Sequence, residues 1–395
     1  MISKRRLVYL LMVIYLVSYL TRINFGAVIS EMCDSTGISK VLLSLSLTGS
    51  FMTYGVGQIV SGILGDRFNP KKLVFYGLVV TTMMNFLIPL CPNPYFMIAV
   101  WCINGFAQAF MWPPIVRIMT TYFDDEEYAR GSVIVSCGSS IGTIIIYLIS
   151  PLLIQISGWK AVFAFSVLCG VAFVLIWNRY APDVEGKVEK NQETGKEGTL
   201  LGILISPVMV FAIVAIILQG MLKDGVTTWM PSYIAETFNL GNAVSIFTGI
   251  ILPLFGILSY NISLRIYNKK IKNPVKCAGV IFATGMLSAV MLYMLPNFNP
   301  LFSVLCSALL TGCMHGVNLM IVSILPMYFK ETGKVSTISG ILNACVYVGS
   351  AIFTYGVALL AESFGWRTTI FSWVLITALG TISCIISSYF WKKNR

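Results

Sequence analysis

The chain of 395 residues is 57% hydrophobic and only 11% charged, with a mean hydropathy of +0.82. Soluble domains carry about a quarter charged residues, so this composition excludes a water-facing globular surface and makes lipid the solvent of the fold. The net charge of +11 is not a nucleic-acid footprint, because the basic residues are spread over many terminal and loop segments instead of clustering on one face.

The first apolar run follows Lys4-Arg5-Arg6 and continues past Ala27 with Arg22 inside it. It lacks a clear small-residue cleavage site, so it reads as a retained spanning helix and not as a secretory signal. A helix that crosses a bilayer needs about 20 mostly apolar residues. Runs that satisfy this begin near Leu7, Val41, Leu73, Tyr95, Ser132 and Ala161, and again near Pro207, Val244, Cys277, Leu301, Ser336 and Thr368. Between the two sets lies the long polar stretch Arg179 to Gly198 (RYAPDVEGKVEKNQETGKEG), of mixed charge and without periodicity, which predicts a flexible linker. The expected organisation is an all-α membrane protein of twelve transmembrane helices. Residues 1–178 form one six-helix bundle, 179–200 a cytoplasmic linker and 201–395 a second six-helix bundle.

Charge placement orients these spans. Of 27 Lys and Arg, three fall inside them (Arg22, Arg117, Lys223), three on one side (Lys40, Lys160, Arg367) and the other 21 on the opposite side. Basic residues are retained in the cytoplasm, which predicts an inner or plasma membrane protein with both termini cytoplasmic. The halves also echo each other. Tyr122-Phe123, Arg130 and Gly158-Trp159 answer Tyr328-Phe329, Lys334 and Gly365-Trp366, and Arg22 and Lys223 stand in equivalent places near the start of each half. Two bundles of the same orientation that meet near the bilayer midplane form the binding site in transporters built from such repeats.

Ionisable groups inside a membrane are expensive and therefore functional candidates. At 1.5 Å per residue Arg22 and Lys223 come near mid-depth of their helices. One cation from each half forms a clamp for an anion, the Arg as a planar fork and the Lys as a point charge. The alternative is burial in ion pairs, with Asp224 as the partner of Lys223. Adjacent helical residues point about 100° apart, so that pair is expected to be poor. Asp224 is either a proton-coupling group or a moderator of the local positive charge, and the one histidine, His315, either a proton site or a hydrogen-bonding packing residue. Tyr19, Asn24, Tyr54, Gln58, Gln108, Trp112, Ser139, Gln219, Trp229, Asn318, Asn343 and Tyr347 are polar or aromatic residues that could line a cavity or join helices. In the loop Gly62-Ile63-Leu64-Gly65-Asp66-Arg67-Phe68-Asn69-Pro70-Lys71-Lys72, Asp66 and Arg67 can cap or bridge helix ends. Arg117 is a partner for Asp66, and the three are expected to form a conformational latch. The ten cysteines sit mostly in apolar runs with no CxxC and no Cys/His cluster of zinc spacing, so no metal or redox chemistry is indicated. No nucleophile–base set is visible, and the chain is not read as an enzyme.

The loop GILGDRFNPKK resembles the signature between helices two and three of the major facilitator superfamily. Tyr19-Leu20-Thr21-Arg22-Ile23-Asn24-Phe25, Gly105-Phe106-Ala107-Gln108 with Trp112-Pro113-Pro114, and Leu222-Lys223-Asp224-Gly225 with Trp229 resemble, more narrowly, the organophosphate:phosphate antiporters, the glycerol-3-phosphate and hexose-phosphate carriers. The resemblance implies that Arg22 binds phosphate and that Lys223 replaces a second arginine. It matches Gln108 and Trp112 to the family's glutamine and tryptophan of helix four, while Tyr19, Tyr54, Gln58, Ser139, Asn318 and Tyr347 are expected substrate contacts from the polar set above. The chain departs from that family at Ile23, where a lysine often stands, and at Gln58 and Ser139, where the glycerol-phosphate carriers have a lysine and a histidine. Fewer positive groups suit a less highly charged anion or a different grip on phosphate.

The expectation is a secondary active transporter that works by alternating access and acts as a monomer without a cofactor. It moves a small organic anion, foremost an organophosphate exchanged for inorganic phosphate. The alternative is proton-coupled symport of a hexuronate or another carboxylate.

Overall fold

The computed structural model describes residues 3–38, 40–90, 93–184, 200–239 and 242–393. Most of the expected linker, residues 185–199, lies outside them. Among the described residues the chain is all-helical. The helices are α1 Lys4–Ala27, α2 Ile29–Thr36, α3 Lys40–Arg67, α4 Pro70–Leu87, α5 Pro94–Gln108, α6 Trp112–Tyr122, α7 Asp125–Ser157 and α8 Trp159–Tyr180. They continue with α9 Leu200–Leu204, α10 Pro207–Phe238, α11 Asn242–Lys269, α12 Pro274–Met294, α13 Pro300–Asn318 and α14 Val335–Lys393. Between α13 and α14 the chain runs through a π-helical turn, Leu319–Ile324, and a 3-10 segment, Leu325–Thr332.

Eleven helical segments among the described residues are long and apolar enough to cross a bilayer. The long helix outside that set is α3, 28 residues in length. Its lower hydropathy comes from Ser46, Ser50, Thr53, Tyr54, Gln58 and Ser61, a polar load that a lipid-facing helix could not carry but a bundle interior can. One span is broken in two. After Gln108 the α-helix gives way, and it restarts at Trp112 with Pro113 and Pro114 in its first turn, where missing N–H groups do least harm.

Two compact units can be distinguished. One comprises Met1–Glu193 with Phe329–Ala344, the other Thr194–Tyr328 with Cys345–Arg395. The stretch 329–344, read from sequence as part of the second bundle, therefore packs with the first unit.

The repeat is visible in how helices begin and end. Asn69 caps α4 and Asn273 caps α12, each before a proline at the first helical position. Asn93 and Asn299 do the same for α5 and α13. An Asn side chain meets orphan helix N–H groups and the following Pro lacks one, so Asn-Pro is a strong start signal that occurs twice per half. The Gly-Trp pairs match as well. Gly158 has φ 69° and ψ −173°, Gly365 has φ 75° and ψ 172°, and each ends one span before a tryptophan opens the next.

Close helix contact is set by small residues. A β-carbon on Gly142 would stand 2.7 Å from the Leu16 carbonyl oxygen, and one on Gly138 would collide with that of Met12. Gly138 and Gly142 thus form a small-xxx-small seam that lets α7 press against α1. In the second unit, β-carbons on Gly220 and Gly349 would strike the carbonyls of Val346 and Ile217, so α10 and α14 touch backbone to backbone there.

Candidate functional site

In the first unit α1 presents Arg22 to an aromatic surround. Tyr15 and Tyr19 lie one turn apart with ring centroids 5.3 Å from each other, and Tyr15 packs at 5.1 Å on Trp112. The Arg22 guanidinium carbon lies 5.5 Å from the Tyr19 ring centroid and 4.0 Å from that of Tyr54. A guanidinium over a ring face gains about 0.5–2 kcal/mol when desolvated. Arg22, Tyr19, Tyr54 and Trp112 are thus brought into one neighbourhood. The Trp112 indole Nε1 is buried without a hydrogen-bond partner among the described residues.

A polar network that sequence reasoning missed holds α1 on either side of Arg22. Asn85 Nδ2 donates to the Thr21 and Thr81 carbonyls, both at 2.9 Å. Asn104 Nδ2 also donates to the Thr21 carbonyl, at 3.3 Å, and Thr81 Oγ1 donates to Asn104 Oδ1 at 2.8 Å. Asn24 Nδ2 donates to Asn85 Oδ1 at 2.6 Å and to Ser166 Oγ at 3.0 Å, and Ser166 Oγ donates to the Leu20 carbonyl. Each of these side chains is fully buried. Buried amides with all these bonds specify one azimuth of α1, and with it the direction of Arg22. The available signal was the polar amides Asn85 and Asn104 inside otherwise apolar spans.

Several expected contacts are placed differently. Gln58, with no exposed surface, donates from Nε2 to the Ala109 carbonyl at 3.3 Å and accepts at Oε1 from Asn343 Nδ2 at 3.0 Å. Gln108 Nε2 donates to Thr21 Oγ1 at 2.9 Å. Ser139 Oγ donates to the Ser136 carbonyl of its own helix. These three are expected substrate contacts, and in the structure each also hydrogen-bonds within the protein. A buried polar group without a partner is penalised, so such residues are claimed by neighbouring backbone.

At the end of α3, Asp66 accepts from the backbone N–H groups of Ser336, 2.9 Å, and Thr337, 2.7 Å. Arg117 Nη1 stands 3.6 Å from Asp66 Oδ1. The carboxylate therefore caps the first turn of α14, where orphan N–H groups and the helix dipole favour an anion. Arg67 takes no part; it is exposed at the C-terminus of α3.

In the second unit α10 carries Lys223 and Asp224. The sequence argument made this pair poor, but Lys223 Nζ lies 3.4 Å from Asp224 Oδ1. The four-carbon lysine stem bends across the 100° that separates neighbouring side chains, which a rigid partner could not do. Lys223 Nζ also lies 5.6 Å from the Tyr347 ring centroid. Asp224 Oδ2 accepts from Ser350 Oγ at 2.5 Å, a partner absent from the sequence expectation. His315 shares a hydrogen bond between Nδ1 and Tyr260 Oη at 3.0 Å, and its ring lies within electrostatic reach of Lys223 and Asp224. Gln219 Nε2 donates to the Met314 carbonyl. Asn318 ends α13 just before the π-helical turn, and among the described residues no hydrogen bond brings it to the Lys223 pair.

Comparison with known proteins places these features. The sequence matches the Major Facilitator Superfamily over residues 11–354. It is 24% identical over 375 residues to the glycerol-3-phosphate transporter of Bacillus subtilis (strain 168), covering 88% of this chain and 84% of that protein. It is 24% identical over 387 residues to a probable hexose phosphate transport protein of Chlamydia muridarum, covering 89% of this chain and 84% of the other. Among solved structures, a bacterial homologue of the iron transporter ferroportin superposes with a TM-score of 0.77 at 9% identity, over 97% of this chain and 100% of that one. That likeness speaks to fold alone.

Proposed function

We propose that this chain, which belongs to the Major Facilitator Superfamily and is a multi-pass secondary transporter, carries a small organic anion, foremost an organophosphate exchanged for inorganic phosphate. The observation that carries this reading is Arg22, a guanidinium kept inside a bilayer span and stacked 4.0 Å above Tyr54. A fork of N–H donors at that depth suits a phosphate or carboxylate, which would offset its charge. Lys223, in the second unit, is a further anion-binding candidate with the Tyr347 ring beside it, and Tyr19 flanks Arg22 in the first. The phosphate-ester carriers among its relatives support the substrate class. Asp66, with Arg117, is the latch that holds the first turn of α14 during part of the cycle, and both termini are cytoplasmic. A substrate drives the conformational change only through tighter binding to one state.

The test is counterflow in proteoliposomes loaded with inorganic phosphate. Arg22→Ala is expected to abolish uptake of glycerol-3-phosphate and Arg22→Lys to keep a small part of it; full uptake by the alanine variant would refute the anion site. A second reading, proton-coupled carboxylate symport, is favoured by Asp224 and His315. It predicts uptake that follows an imposed pH gradient and ignores phosphate on the far side.

A further inference from the structure

We propose that Asp224 is a resident counter-ion, whose hold on Lys223 limits how much negative charge the transported anion carries. This rests on the reading of Lys223 as an anion ligand. The carboxylate has two ends with different duties. Oδ1 faces Lys223 Nζ at 3.4 Å, and Oδ2 is held by Ser350 Oγ at 2.5 Å. Ser350 is itself fixed by the close crossing of α10 and α14, where Oγ is also 3.2 Å from the Gly220 carbonyl and 3.0 Å from that of Val346. Gly220 and Gly349 leave no room there for a β-carbon.

Asp224 is therefore the anchored member and Lys223 the mobile one. The lysine ammonium sits on a flexible stem and can leave Asp224 for an arriving anion with no shift of helix. The carboxylate stays behind, one-third exposed, and repels each further negative charge on the ligand. A bridge that served only to stabilise α10 would be a poor choice at adjacent positions, since i,i+1 side chains do not face each other on a helix.

The test uses three probes at one pH near 7.5: glucuronate, glycerol-3-phosphate and 3-phosphoglycerate, which carry about one, two and three negative charges. Affinities are read by ligand-induced thermal shift on the purified full chain and by inhibition of counterflow. Asp224→Asn, which keeps the size and the Ser350 contact, is expected to improve the affinity ratio of 3-phosphoglycerate to glucuronate about tenfold. Ser350→Ala, which frees the carboxylate without removing it, is expected to move the ratio the same way about threefold. A merely structural bridge would lower the unliganded melting temperature in both variants and leave the ranking of the probes unchanged, and that result overturns the proposal. Should Asp224→Asn fail to assemble, an unchanged ranking in Ser350→Ala overturns it as well. If the wild type binds none of the three probes, the anion reading itself falls and this role with it. If it binds them and the substitutions leave their order alone, only the counter-ion falls.

Discussion

A guanidinium inside a bilayer must find replacements for the water it has lost, and Arg22 finds one in the face of Tyr54. The contact depends on the ring and not on its hydroxyl. Tyr54→Phe is therefore expected to keep anion affinity, whereas Tyr54→Leu loses about 0.5–2 kcal/mol, read by titration with inorganic phosphate. The residues that aim Arg22 are testable too. Asn85→Leu removes one of two donors to the Thr21 carbonyl and one of two acceptors of the Asn24 amide, and should lower stability by about 1–3 kcal/mol in thermal melts and weaken phosphate binding with no contact to the ligand. Arg22 and Lys223 were legible in the sequence because charge is rare in a span. The Asn85–Asn104–Ser166 network was not, since an amide in an apolar run announces that it needs a partner without saying which helix provides it. The partner of Gln58, Asn343, was hidden for the same reason, because helix packing sets it.

At the level of helices, the two halves solve one problem differently. After Tyr122-Phe123, Asp124 caps α7 and pairs with Glu127 in a capping box. The bonds from the Glu127 and Glu126 N–H groups hold its carboxyl below the ordinary carboxylate range. After Tyr328-Phe329 the equivalent residue is Lys330, which cannot accept from an N–H, and α14 takes Asp66 from α3 instead. Asp66→Asn keeps an acceptor but removes the charge, and about 1 kcal/mol of stability should go with it, seen as a lower melting temperature together with slower counterflow. The Gly-Trp punctuation makes a second point. Gly158→Ala and Gly365→Ala each place a β-carbon on a positive φ, with an expected loss of about 1–2 kcal/mol measurable by denaturation in detergent. That both pairs matter could be read from their spacing; that both glycines share one backbone conformation required the structure.

Over the molecule as a whole, the repeat, the helical content and the number of spans were legible because lipid leaves the backbone few options. Hydropathy understates α3, whose Thr53 hydroxyl reaches the Cys102 carbonyl and whose Gln58 amide reaches that of Ala109. One surface staple reports on the fold through pH. Lys71, at the start of α4, donates to Asp183 after α8 at 3.1 Å, and that bond, with help from Asn69, holds the Asp183 carboxyl below its usual value. The staple stabilises above the ordinary carboxylate range and is lost as pH falls through the depressed value. The melting temperatures of wild type and Asp183→Asn should therefore differ at pH 7 and converge in acid, below about pH 4.

The π-helical turn Leu319–Ile324 holds a different kind of consequence. Such a turn usually marks a single residue inserted into an α-helix, an accommodation that keeps the upstream and downstream faces out of phase. Here it separates His315 and Asn318 from the stretch that leads to Tyr328, and every side chain there is buried. Deleting one residue, such as Val322, would restore a regular ladder and rotate everything after it by about 100°. Tyr328 would then lose the Lys272 carbonyl, which its hydroxyl meets at 3.3 Å. The loop at Lys272 would be unmoored by the removal of one apolar residue, so the extra residue is a spacer that indexes two faces of one rod to each other.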